Sequence, residues 1–555
     1  MSDTLKSLLI ASAERRPDAV LFRYAGPEGW RTMTYGEFLD EVRAASELFV
    51  SLGMNRGDHV ALHLENDPLW AVLYFGLVSI GVTAVPVDPR FEAGEVAHLI
   101  RHGECRTLIT AAGSLPLVRE IAPDLPGLDT VVLAGERVKE DFAGTVKVVD
   151  FASGSAALAD RAYSSGSAFE QVHPDPDTPA SIIFTSGTTG RPKGAVLTHR
   201  NFVSNVEACL DVIGVRDDDV FLLVLPLHHV FAFTTDLLLP IRAGAGISLV
   251  RSIRTVADDL RELQPTALIA VPLLLEKLHD RIFRGIREQP LAHLAWRAGL
   301  KRAVGRKVRR KLGGRLRMVV SGGAPAPVYM LKNFMSLGIP ILEGYGLTET
   351  APVVSVNPPD DPRPGTAGTP LPGVEVEVRR PNREGIGELA VRGPGVMREY
   401  YRNPDDTAEV MEGGWFLTGD LARIDEDGYV VIAGRRKNMI VNREGKNIYP
   451  EEVEEAINRS PLILESLVLG IREEGAKGER VGAIVVPDRE ALDRREAAKG
   501  TTLDEEGIGS LVREEVARMT AELSAYKRPR RVRVRAGEFE KTATRKIKRY
   551  LYDLP

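Results

Sequence analysis

The residues Thr185 to Gly194 read TSGTTGRPKG and follow the apolar run SIIF. Glycines such as Gly187 and Gly190 let a backbone approach a polyphosphate closely. The surrounding N–H groups, with the hydroxyls of Thr185, Ser186, Thr188 and Thr189, can donate to phosphate oxygens. Lys193 adds a positive charge. This is not a P-loop kinase motif, because Pro192 precedes the lysine and Gly194 follows it. Composition alone leaves a plain surface loop as the competing reading. A second constellation is EGYGLTET, Glu343 to Thr350. Gly344 and Gly346 predict a tight turn after the strand IPILEGY, exposing Tyr345, Thr348 and Glu349. The carboxyl ends of strands are where α/β sheets bind ligands. Taken alone, Glu349 would read as a surface acid.

These residues need a scaffold, and the chain supplies a repeating one. DHVALHLEN, VTAVPVD, TLITA, TVVLAG, SIIFTSG, DVFLLVLPL, ALIAVP and RMVVSGG read as short strands separated by helical stretches. That alternation predicts α/β layers with mostly parallel sheets. The uncharged run Pro68–Val87 is long enough to weigh as a membrane span. Gly76, Gly81 and Pro86 interrupt it, so a buried helix over Leu69–Ser79 and a buried strand over Val82–Val87 explain it better. From about Val374 the strictly alternating VEVEVRR, then GELAVRG and the turn Asp425–Gly428, predict a small β-barrel-like antiparallel unit over 374–433. Pro450 opens an acidic first helical turn, suited to a helix N-terminus. The expected division is a large domain over 1–436 and a small α+β domain over 437–555.

The chain has 555 residues, a net charge of −5, 44% apolar and 27% charged residues. Its length predicts more than one domain. Its charge gives no push toward nucleic acid or anionic membrane. With only Cys105 and Cys209, at most one disulfide can form, which fits a reducing, cytoplasmic setting. The N-terminus does not read as a secretory signal.

TSGTTGRPKG resembles the signature of the adenylate-forming (AMP-binding) superfamily. LPLHHVFA (225–232), SGGAP (321–325), EGYGLTET (343–350), GWFLTGD (414–420), GRRKN (434–438) and TATRKIKR (542–549) follow in the family's order. The resemblance spans essentially the whole chain and implies ATP, Mg²⁺ and coenzyme A as partners in acyl-adenylate chemistry. It implies that Tyr345 stacks on adenine beside the Gly323–Ala324 backbone, within the nucleotide-binding set that includes Glu343 and Gly344. Thr348 would contact the α-phosphate and Glu349 would hold Mg²⁺, with Thr185 as second contact. One carboxylate can suffice, since Mg²⁺ completes its shell with phosphate oxygens. Asp420 would accept from both ribose hydroxyls, as an ionised carboxylate has only acceptors to offer. Arg435 is its expected neighbour and Lys437 the expected hinge of a mobile C-terminal lid. His229 is the family histidine where acid and pantetheine meet, whereas His228 reads as an ordinary core histidine. The catalytic lysine falls on Lys546. Arg545 replaces the family's usual glycine, which leaves Lys548 as the alternative. Asn438 stands where many relatives carry Asp.

Relatives that activate amino acids carry Asp after the family histidine. Here that position is Val230, followed by Phe231, Ala232 and Phe233, so an unsubstituted acyl or aryl tail is expected. No carrier segment follows the tail, so free coenzyme A is the expected acceptor. Arg297–Arg317 holds ten Lys or Arg and no Asp or Glu, in an extended region resembling long-chain fatty acyl-CoA synthetases. It could be a solvated face, or it could sit on anionic lipid. The reading is a fatty acid–CoA ligase for medium to long chains, cytoplasmic, with contact at the inner membrane surface if that segment meets lipid. The alternatives are an aryl-CoA ligase, an acyl-AMP ligase serving a carrier protein, and a non-catalytic acyl or nucleotide binder.

Overall fold

The computed structural model describes residues 3–135, 146–162, 164, 166–186, 192–444, 446–472, 478–500, 502–541 and 547–554. The chain forms two compact units. The first is Met1–Glu375 with Val391–Phe416, and the second is Val376–Ala390 with Leu417–Pro555.

The first unit contains an eight-stranded and a nine-stranded sheet. In the former, Pro179–Ser186, Thr83–Pro86, His59–His63, Thr107–Ala111, Thr130–Ala134 and Lys147–Asp150 run parallel. In the latter, the parallel centre runs from Ile341–Gly346 through Met318–Ser321, Ala267–Ala270, Val220–Leu223 and Gly246–Leu249 to Val20–Gly26. Antiparallel strands appear only toward the edges. Alternate residues of one strand enter different cores, as period-two geometry requires. Ala267 and Ile269 face the largest core, which also takes Val60 and Leu62 from the other sheet. Leu268 and Ala270 face a second core with the helices Pro272–Arg287 and Val328–Ser336. Ala61 faces a third, with Ala93–His102. The result is helical and sheet layers in alternation.

The uncharged run becomes the helix Pro68–Ser79, with every residue but Leu69 buried, and the buried strand Thr83–Pro86. Asp67 caps that helix by accepting from the Leu69 N–H. No helix among the described residues is long and apolar enough to cross a membrane. Cys105 and Cys209 are both buried free thiols.

The predicted antiparallel unit is a five-stranded sheet in which Glu375–Arg379, Gly387–Arg392 and Trp415–Ile424 are consecutive neighbours. Val430–Arg435 pairs with Trp415–Ile424 across the turn at Asp425–Gly428. In the second unit, Ile463–Ile471 and Arg480–Pro487 pair antiparallel, and Arg531–Val534 adds in parallel. The helices Pro450–Asn458 and Glu505–Met519 cover this sheet with Val453, Ile457, Val512 and Val516. The expected boundary residue, Lys437, lies inside this unit, in the short turn Arg436–Asn438.

Candidate functional site

The Thr185–Gly194 motif is less of a loop than its composition suggests. Strand Pro179–Ser186 carries Thr185 to its end and Pro192–Thr198 returns from Pro192, with Thr185 opposite Lys193 and Ser186 opposite Pro192. Only the tip, Gly187, Thr188, Thr189, Gly190 and Arg191, falls outside the described residues. The Thr185 hydroxyl donates to the Lys193 carbonyl at 3.4 Å. This hairpin base fixes Thr185 and Lys193 side by side across the two strands.

A third segment borders the hairpin. Glu399–Tyr400 pairs antiparallel with Pro192–Thr198, placing Tyr400 opposite Ala195. From there the Tyr400 hydroxyl donates to Oε1 of Glu349 at 2.8 Å. The Met397 N–H donates to the Glu349 carbonyl at 2.7 Å. The Tyr400 ring lies 5.2 Å from the ammonium of Lys193, and that ammonium is 2.7 Å from the Asp406 carboxylate. Tyr400 therefore joins two candidate residues that are distant in sequence, the lysine of the glycine-rich hairpin and the acid of EGYGLTET.

The two glycines of EGYGLTET do not form the turn expected of them. Strand Ile341–Gly346 includes both and pairs with Val353–Val356. Gly346 is required because the Pro352 carbonyl occupies the space of a side chain. The bend comes later, in the 3-10 turn Thr348–Thr350, which presents Thr348 and Glu349, both half-buried. Tyr345 is half-buried too. Glu343 braces the neighbouring loop, accepting from the Gly365 N–H at 2.8 Å through its carboxylate and from Asn357 through its carbonyl.

SGGAP begins at the end of strand Met318–Ser321, with Gly323 at φ +81° leading into Ala324. A Cβ at Gly322 would lie 2.6 Å from the Phe231 ring, so the missing side chain is what lets that ring close on the backbone. His229 precedes the short helix Val230–Ala232 and is followed by the π-helical turn Phe233–Leu238. Phe233 packs against Trp70, Tyr74 and Phe202. Burial, helped by His228, pushes the His229 imidazole down to about 3, so it is neutral at ordinary pH. Its ring centre is 4.3 Å from that of His228.

His228 is more connected than its sequence context implied. Its Nε2 is 3.4 Å from Oδ2 of Asp88. Burial alone would raise the Asp88 carboxyl, but His228 and the Arg90 guanidinium hold it well below the usual carboxylate range. Asp236, in the π-helical turn, is fully buried with no hydrogen-bond partner among the described residues, and burial raises its carboxyl well above the usual range. The folded chain must therefore keep a proton there that the unfolded chain releases above about pH 4. Stability from this residue is present at low pH and falls as pH rises. Asp236→Asn needs no proton, so it is expected to gain a few degrees in Tm over the parent at pH 8 relative to pH 5, measured by thermal unfolding at both.

In the second unit, register brings Asp420 and Arg435 together: they are cross-strand partners whose side chains form a 2.7 Å ion pair. The Asp420 carboxylate is nearly buried, and Arg435 is about half as exposed as a free arginine, with its Nη1 also donating to the Thr418 carbonyl. Lys437 is exposed on its turn. Lys546 lies outside the described residues, and Lys548 sits 3.9 Å from Glu540.

Residues 9–401 match the AMP-binding enzyme family, and residues 452–546 match the AMP-binding enzyme C-terminal domain. The chain belongs to the AMP-binding enzyme family. Within it, a long-chain-fatty-acid–CoA ligase of Mycobacterium bovis is 30% identical, covering 88% of this chain and 83% of its own length. An oxalate–CoA ligase of Arabidopsis thaliana is also 30% identical, covering 99% and 98%. Among solved structures, ATP-bound MatB from Rhodopseudomonas palustris matches with a TM-score of 0.78 at 25% identity, over 99% of this chain and 98% of that one.

For this AMP-binding enzyme, sequence reasoning missed Tyr400, Asp406, Asp88 and Gly322. Tyr400 and Asp406 lie in EYYRNPDDT, which has no local mark of chemistry. Asp88 did carry a signal, since it lies two residues past the carboxyl end of the parallel strand Thr83–Pro86, where ligands gather.

Proposed function

We propose that this AMP-binding enzyme is an ATP-dependent acid–thiol ligase acting on medium- to long-chain fatty acids. An oxygen of the acid's carboxylate attacks the α-phosphorus of ATP and pyrophosphate leaves, giving the acyl-adenylate. The sulfur of coenzyme A then attacks the acyl carbon, AMP leaves, and the thiol proton passes to solvent. The observation that carries this reading is the meeting of the glycine-rich hairpin with Glu349 through Tyr400. It brings an ammonium and a carboxylate onto one tyrosine, the charges a polyphosphate and its cation require.

The groups the reading assigns to the cation, the Glu349 carboxylate and the Thr185 hydroxyl, are hard oxygens, which suit Mg²⁺. When bound, the ion would neutralise developing phosphate charge. Tyr400 orients Glu349, so Tyr400→Phe is expected to raise the half-saturating Mg²⁺ about tenfold, in the range for removing an orienting partner. A magnesium titration of pyrophosphate release checks this, and an unchanged midpoint with lowered maximal rate would argue against it. His229, neutral at pH 7, would serve by shape and hydrogen bonding where acid and thiol meet, not by charge.

The apolar run Val230–Phe233 supports a hydrocarbon tail, as does the similarity to a fatty-acid ligase. The similarity to an oxalate ligase makes the acid the point to test. Hexadecanoate, benzoate and oxalate are offered together with ATP and coenzyme A, and pyrophosphate and thioester are read separately. Hexadecanoyl-CoA is expected to dominate. Dominant benzoyl- or oxalyl-CoA would overturn the fatty-acid reading and leave the ligase reading standing.

A further inference from the structure

The two helices Pro290–Arg297 and Lys301–Lys311 form an outlying hairpin with an unusual surface. The first has no fully buried residue. Ala292, Ala295 and Trp296 turn toward the core, which leaves Leu291 and Leu294, three apart and so on one face, 84% and 66% exposed. Leu300, in the connection, is 58% exposed. Isolated exposed leucines are ordinary, but three within ten residues on one projecting element form a patch.

The second helix is held by Val304, Gly305 and Val308, with Gly305 so close to the Leu337 carbonyl that no side chain would fit. Its outer face therefore has a fixed direction. The helix carries Lys301, Arg302, Arg306, Lys307, Arg310 and Lys311, all exposed, with Arg302, Arg306 and Arg310 opposite the buried side. Arg302, Arg306 and Arg310 repeat at four-residue spacing, which is repulsive within a helix. Of the ten cations in Arg297–Arg317, Arg317 is drawn inward to Asp219. The helices are pinned together by Lys307 Nζ donating to Gln289 at 3.0 Å and by Lys301 lying 5.1 Å over the Trp296 ring. A shallow depression of about 500 Å³ is lined by Leu300 beside Lys301, Arg302 and Arg306. Leu300 and three of the cations thus border one depression, with Leu291 and Leu294 exposed on the neighbouring helix.

We propose that this hairpin docks the enzyme on an anionic lipid bilayer, with Leu291, Leu294 and Leu300 entering the headgroup–acyl boundary and the cations of Lys301–Lys311 meeting lipid phosphates. Charge complementarity identifies the partner. A nucleic acid would satisfy the cations but leave the leucines in water, whereas a bilayer satisfies both. The surface lies outside the proposed catalytic machinery, so lipid binding and ligase activity fail independently.

The test is flotation of the full chain with vesicles of phosphatidylcholine, with and without phosphatidylglycerol, at low and high salt. The parent is expected to float with the anionic vesicles at low salt and to stay behind with phosphatidylcholine alone. Each cation is worth about fivefold in partition at low salt. Arg302→Gln/Arg306→Gln/Arg310→Gln should therefore lower it about a hundredfold and remove most of the salt dependence. Leu291→Ser/Leu294→Ser/Leu300→Ser should lower it at least tenfold while leaving Tm and turnover of a soluble octanoate substrate unchanged. A parent that ignores anionic vesicles overturns the proposal. So does leucine-insensitive binding, which would mark a diffuse charge effect without insertion.

Discussion

Lys546→Ala is expected to lower acyl-adenylate formation about a thousandfold, the range for deleting a preorganised charge at a reacting oxygen. In the first half-reaction two anions must meet, the acid's carboxylate and the α-phosphate. An ammonium beside both lowers that barrier. In the second half-reaction a thiol attacks an uncharged carbonyl carbon, so thioester formation from supplied acyl-adenylate should stay within about threefold. Pyrophosphate release and thioester formation are measured separately. Lys548 is the control, because Arg545 precedes Lys546 where relatives carry glycine. Lys548 has an acidic neighbour in Glu540 at 3.9 Å, and its alanine variant should keep near-parent adenylation. If Lys548→Ala lost adenylation and Lys546→Ala kept it, the assignment would move to Lys548.

Asp420→Ala is expected to raise KM for ATP at least about a hundredfold with a smaller change in kcat. Two hydrogen bonds from ribose hydroxyls to an ionised carboxylate contribute about 1.5–3 kcal/mol each. Asparagine keeps one acceptor oxygen but loses the charge, so Asp420→Asn should fall between parent and alanine. Arg435 is more exposed than Asp420, and its interactions are better screened, so Arg435→Ala should cost several-fold less. Tm is followed alongside, because Asp420→Ala also leaves Arg435 without its 2.7 Å partner. A parent-like KM for ATP in Asp420→Ala would remove this residue from the ribose.

Element types were legible because their causes are local. The uncharged stretch from Pro68 became a buried helix and strand, and Asp425–Gly428 became the turn between two strands. Pro450 with Glu451 and Glu452 opened a helix. Each depends on periodicity, a turn residue or a cap within a few positions. The motif segments, with their glycines, hydroxyls and charges, were legible for the same reason, as was membership of the AMP-binding family.

Tertiary structure decided which of those segments meet. Local pattern placed Gly344 and Gly346 in a turn. Pairing with Val353–Val356 put them in a strand instead, and at Gly346 the Pro352 carbonyl approaches where a Cβ would stand. Nothing near Tyr400 in sequence indicates that its hydroxyl reaches Glu349 or that its ring lies beside Lys193. That contact exists because a two-residue strand adds to the edge of the hairpin. Asp88 and His228 are likewise far apart in sequence and 3.4 Å apart in space. Leu291 reads as an ordinary helical leucine until Ala292, Ala295 and Trp296 take the inward face and leave it outside. Residue type and short-range spacing determine what each segment can do chemically. Sheet edges and packing faces, set by contacts across hundreds of positions, determine which side chains do it together.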